Sequence, residues 1–204
     1  MLSSNKCIHF GSRVFHLGEN VYEPSDDSFL FGENLTVKCN ERVLDLGTGC
    51  GMLGILAAAN ARQVVAIDIN PHAVRCAKAN AELNEVDGKM MFLQGDLFAP
   101  LSTEARFDVI LFNAPYLPAN LGKRTSWIER SWAGGKRGRE VIDSFISSSK
   151  NHLASRGRVM LLQSTLSSVD RTFSAFRGKG FGVRIVAEKK LPFFESIVLI
   201  EARA

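Results

Sequence analysis

At 204 residues, with 46% hydrophobic and 23% charged side chains and a net charge of +4, the chain has the size and balance of one globular domain with a sizeable core. Its apolar runs, such as 55–59 and 109–112, are far too short to cross a bilayer, and its first residues lack the apolar stretch of a signal peptide. The four cysteines (Cys7, Cys39, Cys50, Cys76) are scattered with no C-x-x-C pair, and the four histidines do not cluster with them. This argues against a disulfide framework or a zinc site, so reduced thiols, no metal ion and a cytoplasmic setting are expected.

In chain order, short strands are predicted near 7–10 and 13–17, then a helix opening at Ser25 with acids in its first turn, where the helix dipole favours them. A strand follows at 42–46, an Ala- and Leu-rich helix at 52–60, and a buried strand at 63–69. Asn70-Pro71 opens the next helix, with proline at its first position. Strands are expected at 90–93 and 107–112, a helix over 138–152, a strand at 158–163 and a helix at 167–177. A final antiparallel pair should occupy 183–188 and 196–202. This alternation predicts an α/β fold with a doubly wound, seven-stranded, mostly parallel sheet and an antiparallel last strand. Residues 1–204 read as one domain, in which 1–40 form an N-terminal cap segment and 117–137 a loop on the substrate side.

Asn113-Ala114-Pro115-Tyr116 follow the strand at 107–112, and ligands bind at such strand ends in open α/β sheets. An Asn before a stiff turn offers a side-chain oxygen and a backbone carbonyl, which together can hold both N–H bonds of a flat –NH2 group. The second motif is Val43-Leu44-Asp45-Leu46-Gly47-Thr48-Gly49-Cys50-Gly51, where glycines let the chain turn sharply and a ligand approach the backbone. Gly49, Gly51 and Gly54 also fit a dinucleotide fingerprint, but that pattern alone is weak, and Asp45 before the glycines would repel phosphate and attract an ammonium or sulfonium. Asp68, 23 residues after Asp45, ends a strand and suits a ribose diol, with Ile69 beside it. Asp96 and Leu97, past the strand at 90–93, suit an adenine amino group and ring. Three acids at successive strand ends with a glycine loop describe a pocket for a positively charged nucleoside.

With these motifs in order, the chain resembles the class I S-adenosylmethionine-dependent methyltransferases that act on amino groups. Val21-Tyr22-Glu23-Pro24-Ser25-Asp26-Asp27-Ser28-Phe29-Leu30 and Trp132-Ala133-Gly134-Gly135-Lys136-Arg137-Gly138-Arg139-Glu140-Val141-Ile142-Asp143 are similar to signatures of the HemK-like release-factor glutamine methyltransferases, in their short archaeal and eukaryotic form. The family pattern is Asn-Pro-Pro-Tyr, and Ala114 stands where its first proline would be. The resemblance implies an enzyme that methylates the glutamine of the Gly-Gly-Gln loop in a class 1 release factor. It also implies S-adenosyl-L-methionine as cofactor, bound by Tyr22, Glu23, Pro24, Ser28, Asp45, Gly47, Gly49, Asp68, Ile69, Asp96, Leu97 and Asn113. Asn113, Ala114, Pro115 and Tyr116 would form the catalytic turn.

Between positions 117 and 139 there are six basic residues (Lys123, Arg124, Arg130, Lys136, Arg137, Arg139) against Glu129, a surplus of five that would steer something anionic toward the site. Contact with nucleic acid through this stretch would fit but is not required. The apolar strand at 89–94 should lie at a sheet edge, where a partner would cover it. The resemblance implies that this partner is a small zinc-binding activator. Three alternatives share the fold: a nucleic-acid amino methyltransferase, a protein-lysine methyltransferase and a non-catalytic subunit.

Overall fold

The computed structural model describes residues 6–119, 126–193 and 195–204. A hairpin of β1 (Cys7–Phe10) and β2 (Arg13–His16) precedes helix α1 (Asp26–Glu33). Then come β3 (Arg42–Leu46), α2 (Met52–Ala58), β4 (Gln63–Asp68), α3 (Pro71–Leu83), β5 (Met90–Gln94) and β6 (Phe107–Asn113). The remainder is α4 (Trp127–Trp132), α5 (Glu140–Ser149), β7 (Leu153–Ser164), α6 (Val169–Gly178), β8 (Gly182–Lys190) and β9 (Ser196–Arg203). Seven strands form one sheet in the order β5-β4-β3-β6-β7-β9-β8. From β5 to β7 the pairs are parallel, and β9 lies antiparallel between β7 and β8.

Burial on both faces explains why the strands read as continuous apolar runs. Along β6, Val109 and Leu111 pack with Phe31 of α1, Ile55 of α2 and Cys76 of α3. Ile110 and Phe112 point to the other face, with Ile142 and Phe145 of α5 and Phe176 of α6. Helix α3 starts as its sequence predicts: Asn70 Oδ1 accepts from the His72 N–H at 2.9 Å, and Pro71 holds the first helical position.

Several boundaries differ from expectation. Strand β7 begins at Leu153 rather than 158: Leu153 pairs with Phe107 of β6, and the register shifts, with Arg156 at φ 63, before pairing resumes between Arg158 and Val109. Helix α5 begins at Glu140, since Gly138 and Arg139 are used in packing described below. Helix α4, inside the segment read as a loop, was not anticipated. Its signal is Ser126 and Glu129, which form a reciprocal capping box.

Among the described residues strand β5 is an edge strand, paired with β4 alone, and Met91 on it is 48% exposed. Among the described residues no helix is long and apolar enough to cross a membrane.

Candidate active site

The loops following β3, β4, β5 and β6 wall a cavity of about 550 Å³, within the size range of small-molecule and cofactor sites. Gly47 and Gly49 turn the first loop at φ 64 and 57, a backbone region that costs glycine little. Asp68 at the end of β4 braces it: Oδ2 accepts from the Gly49 N–H and Oδ1 from the Asn70 N–H, each at 2.9 Å. Burial pushes the Asp68 carboxyl above its ordinary range. Ile69, the exposed Asp96 and Leu97 continue the wall.

Asp45 lies elsewhere than expected. It is 1% exposed and stands behind the glycine loop, not among the residues of the cavity wall. Its Oδ2 accepts from Thr48 Oγ1 at 2.6 Å and from the Gly54 N–H of α2 at 3.0 Å, while Oδ1 has no hydrogen-bond partner among the described residues. Burial pushes its pKa up to about 7, and the neighbouring Asp68 adds to the rise. Glu23 also departs from the wall: it turns outward to pair with Lys6 at 2.5 Å, while Tyr22, Pro24 and Ser28 line the cavity.

The turn after β6 brings Asn113, Ala114, Pro115 and Tyr116 to the same cavity. Asn113 Nδ2 donates to Asp27 Oδ2 at 3.2 Å and to Ser28 Oγ at 3.4 Å. Asn113 Oδ1 is buried and has no partner among the described residues. The Ala114 N–H donates to the Leu162 carbonyl at 3.3 Å, which carries the β6–β7 ladder one residue further. A proline there has no N–H to donate, so Ala114 replaces a fixed φ with a backbone bond.

Asp27 was read as an acid in a helix's first turn and as part of the Val21-to-Ser28 signature, without a role at the site. Its Oδ2 also accepts from Tyr22 Oη at 3.1 Å and Tyr116 Oη at 3.4 Å. Burial, followed by the Asp27 charge, holds both phenols above the usual tyrosine range, so both stay O–H donors.

The Trp132-to-Gly138 stretch supports the turn from outside. The Leu117 N–H donates to the Trp132 carbonyl and the Gly134 N–H to the Leu117 carbonyl, each at 2.9 Å. The Ala119 N–H donates to the Gly135 carbonyl at 2.9 Å. The backbones approach so closely that a Cβ on Gly134 would meet the Pro115 oxygen at 2.5 Å, and one on Gly138 would overlap the Tyr116 oxygen. Arg139 does not belong to a steering surface. It is buried, bound to Asp143 Oδ1 at 2.6 Å, Thr172 Oγ1 at 2.8 Å and the Ser168 carbonyl at 2.9 Å. Arg130 lines the cavity with its guanidinium over the Trp127 ring, Lys136 and Arg137 are exposed, and Lys123 and Arg124 lie outside the described residues.

Residues 24–130 match the family described as the methyltransferase small domain. Over 90% of its length the chain is 42% identical to a Methanocaldococcus jannaschii protein assigned as a protein N5-glutamine methyltransferase, 92% of which is covered. A human protein named methyltransferase HEMK2 is 31% identical over 84% of this chain and 83% of its own. A release factor glutamine methyltransferase of Aquifex aeolicus is 30% identical over 73% of this chain and 57% of its own. A chain in the E. cuniculi Mtq2–Trm112 complex, which is described as responsible for methylation of the eRF1 translation termination factor, superposes with a TM-score of 0.70. It is 24% identical and covers 90% of this chain and 98% of its own, a likeness that shows the seven-stranded fold. By these matches the chain belongs to the small-domain methyltransferases and, among them, to the HemK-like glutamine N5-methyltransferases.

Proposed function

We propose that the protein transfers a methyl group from S-adenosyl-L-methionine to the side-chain amide nitrogen of the glutamine in the Gly-Gly-Gln loop of a class 1 release factor. One observation carries this reading: Asn113 lines the cavity, its Oδ1 is buried without a partner among the described residues, and its Nδ2 is tied back to Asp27 and Ser28. A buried acceptor left unsatisfied costs about 1–3 kcal/mol, so such an atom points to a donor supplied by a ligand. A primary amide supplies it. The names of the relatives, among them a release factor glutamine methyltransferase, support the same substrate.

The wall residues fit the cofactor's chemistry. Each Asp68 oxygen accepts one backbone N–H and keeps a second lone pair for a ribose hydroxyl. Asp96 and Leu97 would take the adenine, and Ser28 with the Gly47 and Gly49 backbone the methionine part. When bound, the cofactor supplies an electrophilic methyl group on a sulfonium. The protein's own contribution is placement. Asn113 Oδ1 and the Ala114 carbonyl accept one amide N–H each, which holds the nitrogen in one orientation and favours pyramidalisation as it attacks. No strong base is required before attack, because the leaving group is a neutral thioether; the methylated nitrogen gives up one proton to solvent. Tyr116 lines the approach.

A small zinc-binding partner protein would cover β5, whose exposed Met91 leaves an apolar edge. The Mtq2–Trm112 pairing in the structural neighbour supports the presence of a partner protein. A cytoplasmic setting follows from a translation factor as substrate.

Asn113→Ala tests the reading. Transfer of labelled methyl should fall at least 100-fold, the scale for losing one preorganised hydrogen-bonding group, while the cofactor Kd stays within about threefold. Unchanged turnover would refute the role given to Asn113.

A further inference from the structure

Asp27 makes more bonds than a helix-start acid needs. It is 5% exposed, and both carboxylate oxygens are fully engaged. Oδ1 accepts from the Ser28 N–H at 2.5 Å, Ser28 Oγ at 3.0 Å and Ser25 Oγ at 3.1 Å. Oδ2 accepts from Tyr22 Oη, Tyr116 Oη and Asn113 Nδ2. Three donors on each side leave the carboxylate no rotational freedom.

An asparagine amide can sit in either of two nearly isosteric orientations, related by a half-turn about its last torsion. Only one presents oxygen to the cavity. The other presents –NH2, which would meet the –NH2 of a substrate amide donor to donor. Asp27 chooses between them, because an ionised carboxylate only accepts; Ser28 Oγ follows it, since its one hydrogen goes to Asp27 Oδ1 and leaves it an acceptor toward Asn113.

We propose that Asp27 is a positioning residue that locks the Asn113 amide with its oxygen toward the substrate. It thereby sets the subsite to receive groups that bring N–H donors. This rests on the amide-transfer reading above and names what enforces it.

Asp27→Asn should reverse the lock. The fixed Ser28 N–H would hold the new residue's oxygen at the Oδ1 position, which puts its –NH2 against Asn113. Asn113 then turns its oxygen to that –NH2 and its own –NH2 to the substrate. Asn113→Asp alone sets two carboxylates 3.2 Å apart, where they must share a proton. The double variant Asp27→Asn/Asn113→Asp restores the polarity: the –NH2 at 27 donates to one carboxylate oxygen at 113, and the other faces the substrate as an acceptor.

The test compares the intact protein with these three variants, with the partner protein present if the intact enzyme needs it. It uses a Gly-Gly-Gln release factor as substrate and measures kcat, KM and, by calorimetry, the S-adenosylmethionine Kd. Each single variant should lose kcat about 100- to 1,000-fold with the cofactor Kd within about threefold. The double variant should recover at least tenfold over the better single. A merely structural Asp27 would give a double variant as poor as the product of the two singles, and recovery below tenfold overturns the proposal. So does an Asp27→Asn enzyme within threefold of the intact one. Should Asp27→Asn fail to fold, the double variant against Asn113→Asp decides alone. If the intact protein labels no glutamine, the proposed function fails instead.

Discussion

Replacing Gly138 by alanine adds one methyl group in a place that has no room for it, on a residue 25 positions from Asn113. Gly138 has φ 66, and its added Cβ would overlap the Tyr116 oxygen and sit 3.2 Å from the Pro118 nitrogen. A left-handed backbone costs an alanine about 1–2 kcal/mol. Relieving the overlap requires a backbone shift, worth a further 1–3 kcal/mol or so. A total near 3 kcal/mol should lower Tm by roughly 6–12 °C in a chain of this size. Regaining a normal contact moves the Tyr116 carbonyl by about 1 Å, and displacement on that scale costs about 100-fold in rate. Calorimetric melting and steady-state methylation measure the two effects. Gly182→Ala is the control, because that site has nothing within 4 Å and no positive φ. A Gly138→Ala protein that melts within 2 °C of the parent and turns over within twofold would refute the idea that this segment buttresses the Asn113-to-Tyr116 turn.

Ala114→Pro restores the family residue but deletes the 3.3 Å bond to Leu162. A loss of about 1 kcal/mol is offset by a gain of about 0.4–1 kcal/mol from a stiffer unfolded chain. Stability should stay within about 1 kcal/mol in urea unfolding and kcat within about threefold; a tenfold fall in kcat would show that the Ala114 N–H matters as well as its carbonyl. The buried Asp45, with its pKa raised from 3.8 to about 7, favours its protonated form in the folded state. Its contribution is therefore complete below about pH 4 and lost as pH rises through about 7. Relative to Asp45→Asn, the cofactor-free protein should lose on the order of 4 kcal/mol at most between pH 4 and 8, and a pH-independent difference in urea unfolding contradicts this. Met91→Lys, on the exposed β5 edge, should leave folding stability within about 0.5 kcal/mol yet weaken binding of the small partner at least tenfold in calorimetric titration. Unchanged affinity would move the partner away from that edge.

Features set by nearby residues were legible in the sequence. The strands from β3 to β6 are short apolar runs bounded by Gly, Pro and acids, and the Asn113-to-Tyr116 turn sits at a strand end as its position implies. Asp45 was misplaced by ignoring side-chain alternation. Val43 packs on the α1–α3 face of the sheet while Leu44 and Leu46 pack on the other, so the residue between the leucines must point back under α2. Asp27 could not have been read from spacing, because its partners Asn113 and Tyr116 lie 86 and 89 residues away. Arg139 looked like surface charge because nothing local announces the Ser168 and Thr172 groups that bury it. Gly134 and Gly138 looked like loop punctuation; only the fold brings the Pro115 and Tyr116 carbonyls against them.

The central claim is that a protein glutamine amide is the acceptor. It is tested most directly by peptide mass spectrometry of a class 1 release factor after incubation with the protein, its small partner and S-adenosylmethionine. The Gly-Gly-Gln peptide should gain one methyl group on the glutamine side chain, and a factor carrying Gln→Ala in that loop should gain none. Equal methylation of both factors, or label found only in RNA, would contradict the account.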